Sequence, residues 1–315
     1  MPLPRQLRDA IAAQGSSKDV ARAGAELSDA YRRGEFAAAP LKSPAHRLAY
    51  LQVRMPATYA ACSHVFEKTR KQMPDFAPNS LLDLGAGPGT AAWAAIEHFP
   101  SLAKLTLVER DTELLRLGQS LAANSPLAHA QWHQADLRSY TPDPYDLIVL
   151  SYTLGELPPS DARRILTSAW KAAQLLVIIE PGTPKAFARL ADVRKQLIAD
   201  GATIPAPCPH ENDCPLLVKG DWCHFAERLE RTAEHRRIKG GSLGYEDEKF
   251  SYVAATRLPI APRTGRIVRH PQIHSGYVQL QVCAPEVLKQ QTVTKSQKEI
   301  YRAARKSKWG DRWPS

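Results

Sequence analysis

A glycine-rich segment is the first candidate for chemistry in this chain. From Leu81 to Thr90 the sequence is Leu-Leu-Asp-Leu-Gly-Ala-Gly-Pro-Gly-Thr, an apolar run followed by alternating glycines. Glycine lets the backbone turn sharply and approach a ligand closely, and the helix that follows presents unpaired N–H donors at its first turn. The pattern therefore predicts a ligand-binding turn between a buried strand and a helix.

The spacing of the glycines indicates which class of ligand the turn binds. Gly85, Gly87 and Gly89 alternate with single residues, whereas a dinucleotide turn places its third glycine three residues after the second. The observed spacing is typical of class I methyltransferases, which bind S-adenosylmethionine (SAM). A structural bend without a ligand is the alternative. We predict that the cofactor turn comprises Asp83, Gly85, Ala86, Gly87 and Gly89.

Further polar residues stand at the ends of the next predicted strands. Glu109 ends the second apolar run, where a carboxylate can accept hydrogen bonds from both hydroxyls of a ribose. Asp136 and Leu137 follow the third strand, where a carboxylate can receive the adenine amino group. Ser151 ends the fourth strand, and ligands of open α/β sheets bind at the carboxyl ends of strands. These positions favour SAM over NAD and over a bare turn.

No catalytic residue is identified. The sequence after Ser151 lacks the Asn/Asp-Pro-Pro-aromatic motif of base N-methyltransferases, and no cysteine between Cys62 and Cys208 can serve a carbon-5 pyrimidine enzyme. Glu156 is a candidate base, although an acid at a helix N-terminus more often acts as a cap or dipole partner. Methyl transfer can also work largely by positioning, so an enzyme and a binding factor are both open.

Four downstream cysteines form a second candidate site. In a chain without a secretion signal, such cysteines indicate metal ligation rather than disulfides. Four thiolates suit zinc or an iron-sulfur cluster. Paired Cys-x2-4-Cys knuckles are absent and prolines adjoin the cysteines, which favours an iron-sulfur cluster over zinc. Zinc, with His210 or His224 in a mixed site, and unliganded thiols are the alternatives. The predicted ligands are Cys208, Cys214, Cys223 and Cys283.

Positive charge is concentrated at one end of the chain. Residues 225–315 contain 18 Lys and Arg against 9 Asp and Glu, and therefore carry +9 of the total net charge of +10. A basic surface attracts phosphate backbones. Cations and aromatic residues are interleaved between Tyr301 and Trp309, where stacking and phosphate contacts can cooperate. Nucleic acid is therefore the favoured partner, and a solvated surface is the alternative.

The elements that must position these residues follow from hydrophobic periodicity. Steps of three and four between Leu48 and Phe66 predict a helical N-terminal part, either two helices meeting at Pro56 or one kinked helix, with Cys62 as a core thiol. Short apolar runs then alternate with helical stretches, which predicts an α/β fold with a doubly wound, mostly parallel, Rossmann-like sheet. The expected strands are 80–84, 104–108, 130–134, 145–151 and 174–180, and the expected helices are near 89–98, 111–122, 159–172 and 183–200.

Two further strands, 250–257 and 276–283, alternate in polarity and suit an antiparallel edge of the same sheet. The chain accordingly divides into N-terminal helices (1–75), a SAM-binding core (76–200), a Cys-rich insertion (201–249), strands completing the sheet (250–285) and a basic tail (286–315). No run approaches the roughly 18 apolar residues of a membrane span, and no apolar leader begins the chain. We expect a cytoplasmic monomer without a membrane partner.

Several motifs together resemble one known family, the mitochondrial-type small ribosomal subunit methyltransferase-like proteins, which have bacterial relatives. The resemblance covers most of the chain from about Leu48 onward. It implies a class I methyltransferase fold, a four-cysteine [4Fe-4S] site and association with small-subunit ribosomal RNA during assembly. The motifs that carry it are Arg54–Ala61, Leu81–Thr90, Ser151–Leu157, Glu180–Pro184, Cys208–His210 and Asp221–Phe225.

Overall fold

The structure is a computed structural model that describes residues 2–15, 19–33, 41, 43–230, 244–285 and 287–314. The part of the predicted Cys-rich insertion at 231–243 lies outside these residues. The α-helices of the described residues are α1 Arg5–Ala13, α2 Val20–Arg33, α3 Pro44–Ala49, α4 Met55–Arg70, α5 Thr90–His98, α6 Thr112–Ala122, α7 Pro159–Ala172, α8 Pro184–Ala199, α9 Pro215–Val218 and α10 Lys298–Lys306.

The strands belong to two sheets. They are β1 Ser80–Leu84, β2 Lys104–Glu109, β3 Gln131–Gln134, β4 Tyr145–Ser151, β5 Ala173–Pro181, β6 Thr203–Ala206, β7 Phe225–Glu230, β8 Tyr245–Thr256, β9 Gly265–Ile267, β10 Gln272–Ile273, β11 Tyr277–Cys283, β12 Leu288–Thr294 and β13 Arg312–Trp313. The larger sheet has the order β3-β2-β1-β4-β5-β8-β6, and β7 also pairs with β8. The five strands expected from the sequence are confirmed.

Strands β1 to β5 are parallel, and helices connect β1 to β2, β2 to β3 and β4 to β5. The central residues of β1, β2, β4 and β5 are apolar and buried, whereas β3, at the edge of the sheet, is largely exposed. The chain runs outward from β1 through β2 to β3 and then returns to β4 on the other side of β1. This reversal of strand order creates the crevice in which doubly wound sheets bind ligands. The predicted fold class is therefore confirmed.

The chain divides into two compact units. The first comprises Met1–Glu67, Ala77–Ile179 and Glu227–Glu248, and it contains the glycine turn. Its helical N-terminal part is interrupted by a π-helical turn, Tyr50–Arg54, directly before α4. Pro56, in the first turn of α4, has no N–H to donate, and π turns occur where the regular helical ladder is interrupted.

The second unit comprises Lys68–Phe76, Glu180–Ala226 and Lys249–Ser315. It contains a five-stranded sheet with the order β10-β11-β9-β13, in which β12 pairs with β11. Residues of β11 and β9 pack against α10 in a core that consists of Ile267, Val278, Leu280, Val282, Val293, Tyr301, Ala304 and Trp313.

Two expectations differ from this arrangement. Strand 250–257 does join the larger sheet as β8, where it pairs antiparallel with β6, but the expectation that 276–283 joins it is wrong because β11 belongs to the second sheet. Alternation shows that one face of a strand is buried, but it does not show which sheet buries it. The basic segment 286–315 also contains a strand and a helix that bury Val293, Tyr301 and Ala304.

Among the described residues, no helix is both long and apolar enough to cross a membrane.

Candidate functional sites

The glycine turn connects β1 to α5 and adopts a backbone that other residues rarely take. Gly85, Gly87 and Gly89 have φ values of 74°, 53° and 84°. The N–H groups of Gly85 and Ala86 both donate to the carbonyl oxygen of Val108, at 2.9 and 3.0 Å. A Cβ atom at Gly85 would lie 2.6 Å from Cγ2 of Thr153, so glycine is required both by conformation and by space.

Glu109, at the end of β2, holds this turn. Its Oε2 accepts a hydrogen bond from the N–H of Gly87 at 2.8 Å, and its Oε1 accepts one from the N–H of Asp111 at 2.8 Å. The residue is 9% exposed. Each carboxylate oxygen has a second lone pair, so the side chain that orders the turn can still accept hydroxyl groups of a ligand.

A cavity of about 250 Å³ lies beside the turn. The predicted site residues that line it are Gly85, Gly87, Glu109, Asp136, Leu137 and Ser151. The other three predicted residues do not line the cavity. Asp83 is buried in β1, and Ala86 and Gly89 belong to the turn itself. The structure thus brings the ends of β1, β2 and β4 and the residues after β3 to one cavity.

Asp136 lines the cavity with its carboxylate already engaged. Arg138 donates to it through Nη2 at 2.6 Å and through Nε at 3.0 Å. These hydrogen bonds lower the pKa of Asp136 to about 2. An adenine amino group must therefore share this carboxylate with Arg138.

Asp83 belongs to β1, two residues before Gly85, and is 1% exposed. Burial raises the pKa of its carboxyl group to about 7, while the backbone N–H of Ala92 acts in the opposite direction and the charge of Glu109 adds to the increase. The carboxyl group therefore titrates near neutral pH within the buried strand that leads into the glycine turn.

A polar network that the sequence did not predict forms another wall of this cavity. Arg54, at the end of the π-helical turn, donates to both carboxylate oxygens of Glu248 at 3.1 and 3.2 Å. The hydroxyl of Tyr152 donates to Oε1 of Glu248 at 2.9 Å. Tyr152 has a φ of 58°, unusual for an aromatic residue. Arg54 and Tyr152 belong to motifs noted above, whereas no sequence signal marked Glu248.

Glu156, the candidate base, also lines the cavity. Desolvation and the nearby charge of Glu109 raise the pKa of its carboxyl group. It lies at the end of a short 3-10 helix, Leu154–Glu156, that follows β4. Its location in the cavity wall is the one that a base would need.

The second unit contains a cavity of about 330 Å³ that is lined by all four predicted ligands, Cys208, Cys214, Cys223 and Cys283. They come from the loop after β6, the N-cap of α9, the segment before β7 and the end of β11. Burial raises the pKa of the thiols of Cys208, Cys223 and Cys283, and the neighbouring cysteines add to the increase. The fold therefore gathers four distant cysteines at one place.

Among the described residues, no three His, Cys, Asp or Glu side chains are grouped closely enough to hold one metal ion. The fifth cysteine, Cys62, is fully buried in the first unit, where its sulfur lies 3.3 Å from the hydroxyl of Ser151. It is a core thiol, as the helical periodicity predicts.

Two buried arginines that the sequence analysis did not single out also line the cysteine cavity. Arg194 of α8 and Arg266 of β9 are 7% and 5% exposed. Arg194 donates to the carbonyl oxygens of Asn212 and His210. A buried arginine cannot be distinguished from a surface arginine by spacing, so no signal in the sequence marked them.

The five-stranded sheet forms one side of a groove of about 550 Å³. Its polar face contributes Gln279, Gln281 and Gln290, whereas Val278, Leu280 and Val282 of β11 alternate onto the opposite, buried face. The cations of the groove are Lys219, Arg269 and Lys289, and no acidic residue occurs among the described residues that line it.

Trp309 also lines this groove. Its ring packs edge-on against His270 and His224, with centroids 4.9 and 4.7 Å apart, and the guanidinium of Arg269 lies 5.7 Å from it. Tyr301, the other aromatic residue of the interleaved segment, is buried in the core instead. Cations and one aromatic ring therefore meet at the groove.

A parallel sheet that reverses its order at β1, with a glycine turn and an acid at that crevice, defines a class I methyltransferase fold. The chain belongs to the family described as mitochondrial small ribosomal subunit Rsm22, which matches residues 44–314. The membership in a mitochondrial-type small ribosomal subunit family that the motifs indicated is thereby confirmed.

Individual relatives agree with this assignment. The chain is 29% identical over 289 residues to the human ribosome assembly protein METTL17, mitochondrial, with 85% of this chain and 62% of that protein covered. It is 28% identical over 324 residues to Rsm22-cox11 tandem protein 2, mitochondrial, of Schizosaccharomyces pombe, with 85% and 43% covered. The chain thus spans less than two thirds of either relative.

Among solved structures, magnesium protoporphyrin IX methyltransferase from Synechocystis, with bound SAH, is similar with a TM-score of 0.44 and 14% identity. The similarity covers 66% of this chain and 85% of that one.

Proposed function

We propose that this chain is a SAM-binding factor that holds a [4Fe-4S] cluster, binds small-subunit ribosomal RNA and assists assembly of the small ribosomal subunit. One observation carries the proposal: the Rsm22 match at residues 44–314 includes both the glycine-turn cavity and all four cysteines of the second cavity. Human METTL17, a relative, is named a ribosome assembly protein.

The glycine-turn cavity supports SAM binding. The carboxylate of Glu109 accepts a hydrogen bond from the N–H of Gly87 and retains lone pairs that can accept ribose hydroxyls. Leu137 lies beside the cavity, where its backbone and the carboxylate of Asp136 can contact an adenine. The positive φ values of the glycines let the ligand approach the backbone.

The donor set of the second cavity supports a cluster. A tetrahedral zinc site with Zn–S bonds of about 2.3 Å draws its sulfurs to within roughly 4 Å of one another. A [4Fe-4S] cluster binds each thiolate through a different iron, so its ligands lie farther apart. The four cysteines that line one cavity supply one thiolate for each iron of such a cluster. When bound, it joins four chain segments through metal–sulfur bonds.

The groove of the second unit supports RNA binding. Lys219 and Lys289 can contact phosphates, Trp309 can stack on a base, and the glutamine amides can hydrogen-bond to base edges. Aromatic and cationic side chains at one groove favour a single strand, because stacking requires an unpaired, splayed base.

An active RNA methyltransferase is the second candidate, because an intact glycine turn and the cavity beside it are the parts that methyl transfer requires. The cavity wall at Tyr152 argues for a binding factor, since its hydroxyl is held by Glu248, itself paired to Arg54. Incubation of the protein with small-subunit RNA and labelled SAM discriminates the two. Transfer of label to the RNA supports the enzyme, and RNA binding without transfer supports the binding factor.

Metal analysis tests the cluster. Protein purified without oxygen should be brown and contain about four irons and four sulfides per chain. Serine at Cys208, Cys214, Cys223 or Cys283 should each abolish the colour, while Cys62→Ser, the matched control, should retain it. Stoichiometric zinc without iron, or a full cluster after loss of Cys283, would refute the cluster assignment.

Salt dependence tests the RNA surface. Lys219→Gln with Lys289→Gln should weaken binding of single-stranded small-subunit RNA and reduce the slope of log affinity against log salt by about 1.4, since each phosphate contact contributes about 0.7. Lys171→Gln, an exposed change in the first unit, is the control. Equal slopes for all three proteins would show that RNA does not bind at this groove.

A further inference from the structure

The two arginines of the cysteine cavity hold the backbone around the first cysteines. Arg194 donates through Nη1 to the carbonyl oxygen of Asn212 at 2.9 Å and through Nη2 to that of His210 at 2.6 Å. Both carbonyls lie in the loop between Cys208 and Cys214. Nε of Arg194 is buried and has no hydrogen-bond partner within the described part of the chain.

Arg266 makes the equivalent contacts from β9. Its Nε donates to the carbonyl oxygen of Pro207 at 2.8 Å, directly before Cys208, and its Nη1 donates to that of Gly310 at 2.8 Å. Both guanidinium groups therefore bond to neutral carbonyl oxygens. Over the residues that the structure describes, neither forms an ion pair with a carboxylate.

Buried guanidinium groups without a counter-charge are unfavourable. Arginine remains protonated at any ordinary pH, and a buried charge costs several kcal/mol unless an opposite charge compensates it. Carbonyl dipoles satisfy hydrogen bonds but leave the net charge in place. Four thiols line the same cavity as the two arginines, and the carboxylates of Asp192 and Asp213, which also line it, belong to exposed residues.

The charges balance when the cysteines bind a metal centre. Four thiolates around a doubly positive cluster core, or around Zn²⁺, leave two negative charges in excess. We propose that Arg194 and Arg266 are the counter-charges of this dianionic centre and act as positioning residues that hold it and raise its reduction potential. This inference rests on the proposed function of the four cysteines.

Loss of either guanidinium group should weaken the centre, because residues beside metal ligands change metal affinity by about 10- to 100-fold. With Arg194→Gln or Arg266→Gln, the rate of iron release to a chelator should rise by about tenfold or more, and the reduction potential should become more negative, because a nearby cation favours the state that has gained an electron.

The experiment compares anaerobically purified wild type with Arg194→Gln, Arg266→Gln and Arg194→Lys. Lysine keeps the charge but not the paired carbonyl contacts, so Arg194→Lys should retain most of the wild-type potential even where it releases iron faster. Lys185→Gln removes an equal charge from an exposed position of α8 that does not line the cavity, and it is the matched control. Release rate and potential are measured on each, with circular dichroism to verify folding.

The outcomes separate the two proposals. Wild-type release rates and potentials in both Gln variants would overturn the role of the arginines while leaving the cluster intact. Faster release with an unchanged potential in Arg194→Gln would reduce Arg194 to a structural role and also overturn the inference. Wild-type protein without any bound metal would refute the cysteine centre itself, and the counter-charge role with it. If the site holds zinc, it has no reduction potential to measure. The rate of metal release then decides alone, and a wild-type rate in both Gln variants would overturn the inference.

Discussion

Glu109 and Gly87 are joined by a hydrogen bond of 2.8 Å from the glycine N–H to carboxylate Oε2. The acid at the end of β2 therefore orders the turn after β1, and the same carboxylate faces the cavity. The Glu109 side chain therefore links the conformation of the glycine turn to ligand binding. Removing it tests both.

Replacing Glu109 with Ala should lower SAM affinity by about 2 kcal/mol, or roughly 30-fold, because hydrogen bonds to charged groups contribute ~1.5 to 3 kcal/mol each. Titration calorimetry measures the effect. Glu113→Ala, an exposed acid on α6, should bind SAM as wild type does. Unchanged affinity in the Glu109 variant would remove this residue from the cofactor site.

Alanine at Gly85 should destabilise the protein by about 3 kcal/mol. The positive φ costs roughly 1 to 2 kcal/mol for a residue with a Cβ atom, and that atom would also contact Thr153 at 2.6 Å. Gly201 has a φ of +83° with no heavy atom within 4 Å of a built Cβ, so Gly201→Ala reports the backbone cost alone. Denaturant unfolding of both variants gives the difference, and equal losses would contradict the steric argument.

Asp83 should make stability depend on pH. Its pKa is about 7 in the folded chain and 3.8 in the reference state, so the folded state binds an extra proton between these values. Stability should accordingly fall as pH rises from about 4 to 7, by at most ~4 kcal/mol at 1.36 kcal/mol per pKa unit.

Asp83→Asn removes this titration. Relative to wild type, the variant should therefore be more stable at pH 8 than at pH 5, measured by urea unfolding at both values. The exposed Asp143→Asn should show no such difference. A variant whose relative stability is the same at both pH values would contradict a raised pKa at Asp83.

Breaking the pair of Arg54 and Glu248 should be costly, because both side chains are nearly buried, at 13% and 11% exposure. Arg54→Met should lower stability by about 3 to 5 kcal/mol, since it leaves a buried carboxylate without its counter-charge. Adding Glu248→Gln should recover part of that loss, which a double-mutant cycle detects. Arg116→Met, at an exposed pair, should change stability by less than about 1 kcal/mol.

Local patterns predicted much of this molecule. Apolar runs such as Leu147–Leu150 and the glycine spacing after Leu84 indicated parallel strands and the binding turn, because burial periodicity and backbone conformation depend on neighbouring residues. The grouping of cysteines was also predicted, although the residues themselves could not show that Cys283 and Cys208 line one cavity.

By itself, the sequence determined the α/β class, the family, and the candidate residues of both sites, because each depends on residue type and short-range spacing. Only the tertiary structure decided that β11 joins a second sheet, that Arg54 pairs with Glu248, and that Arg194 lies beside the cysteines. Such pairings join residues that are distant in the chain or belong to different elements. They form because the packing of elements brings particular side chains together and removes them from water. A short-range sequence pattern does not contain that information.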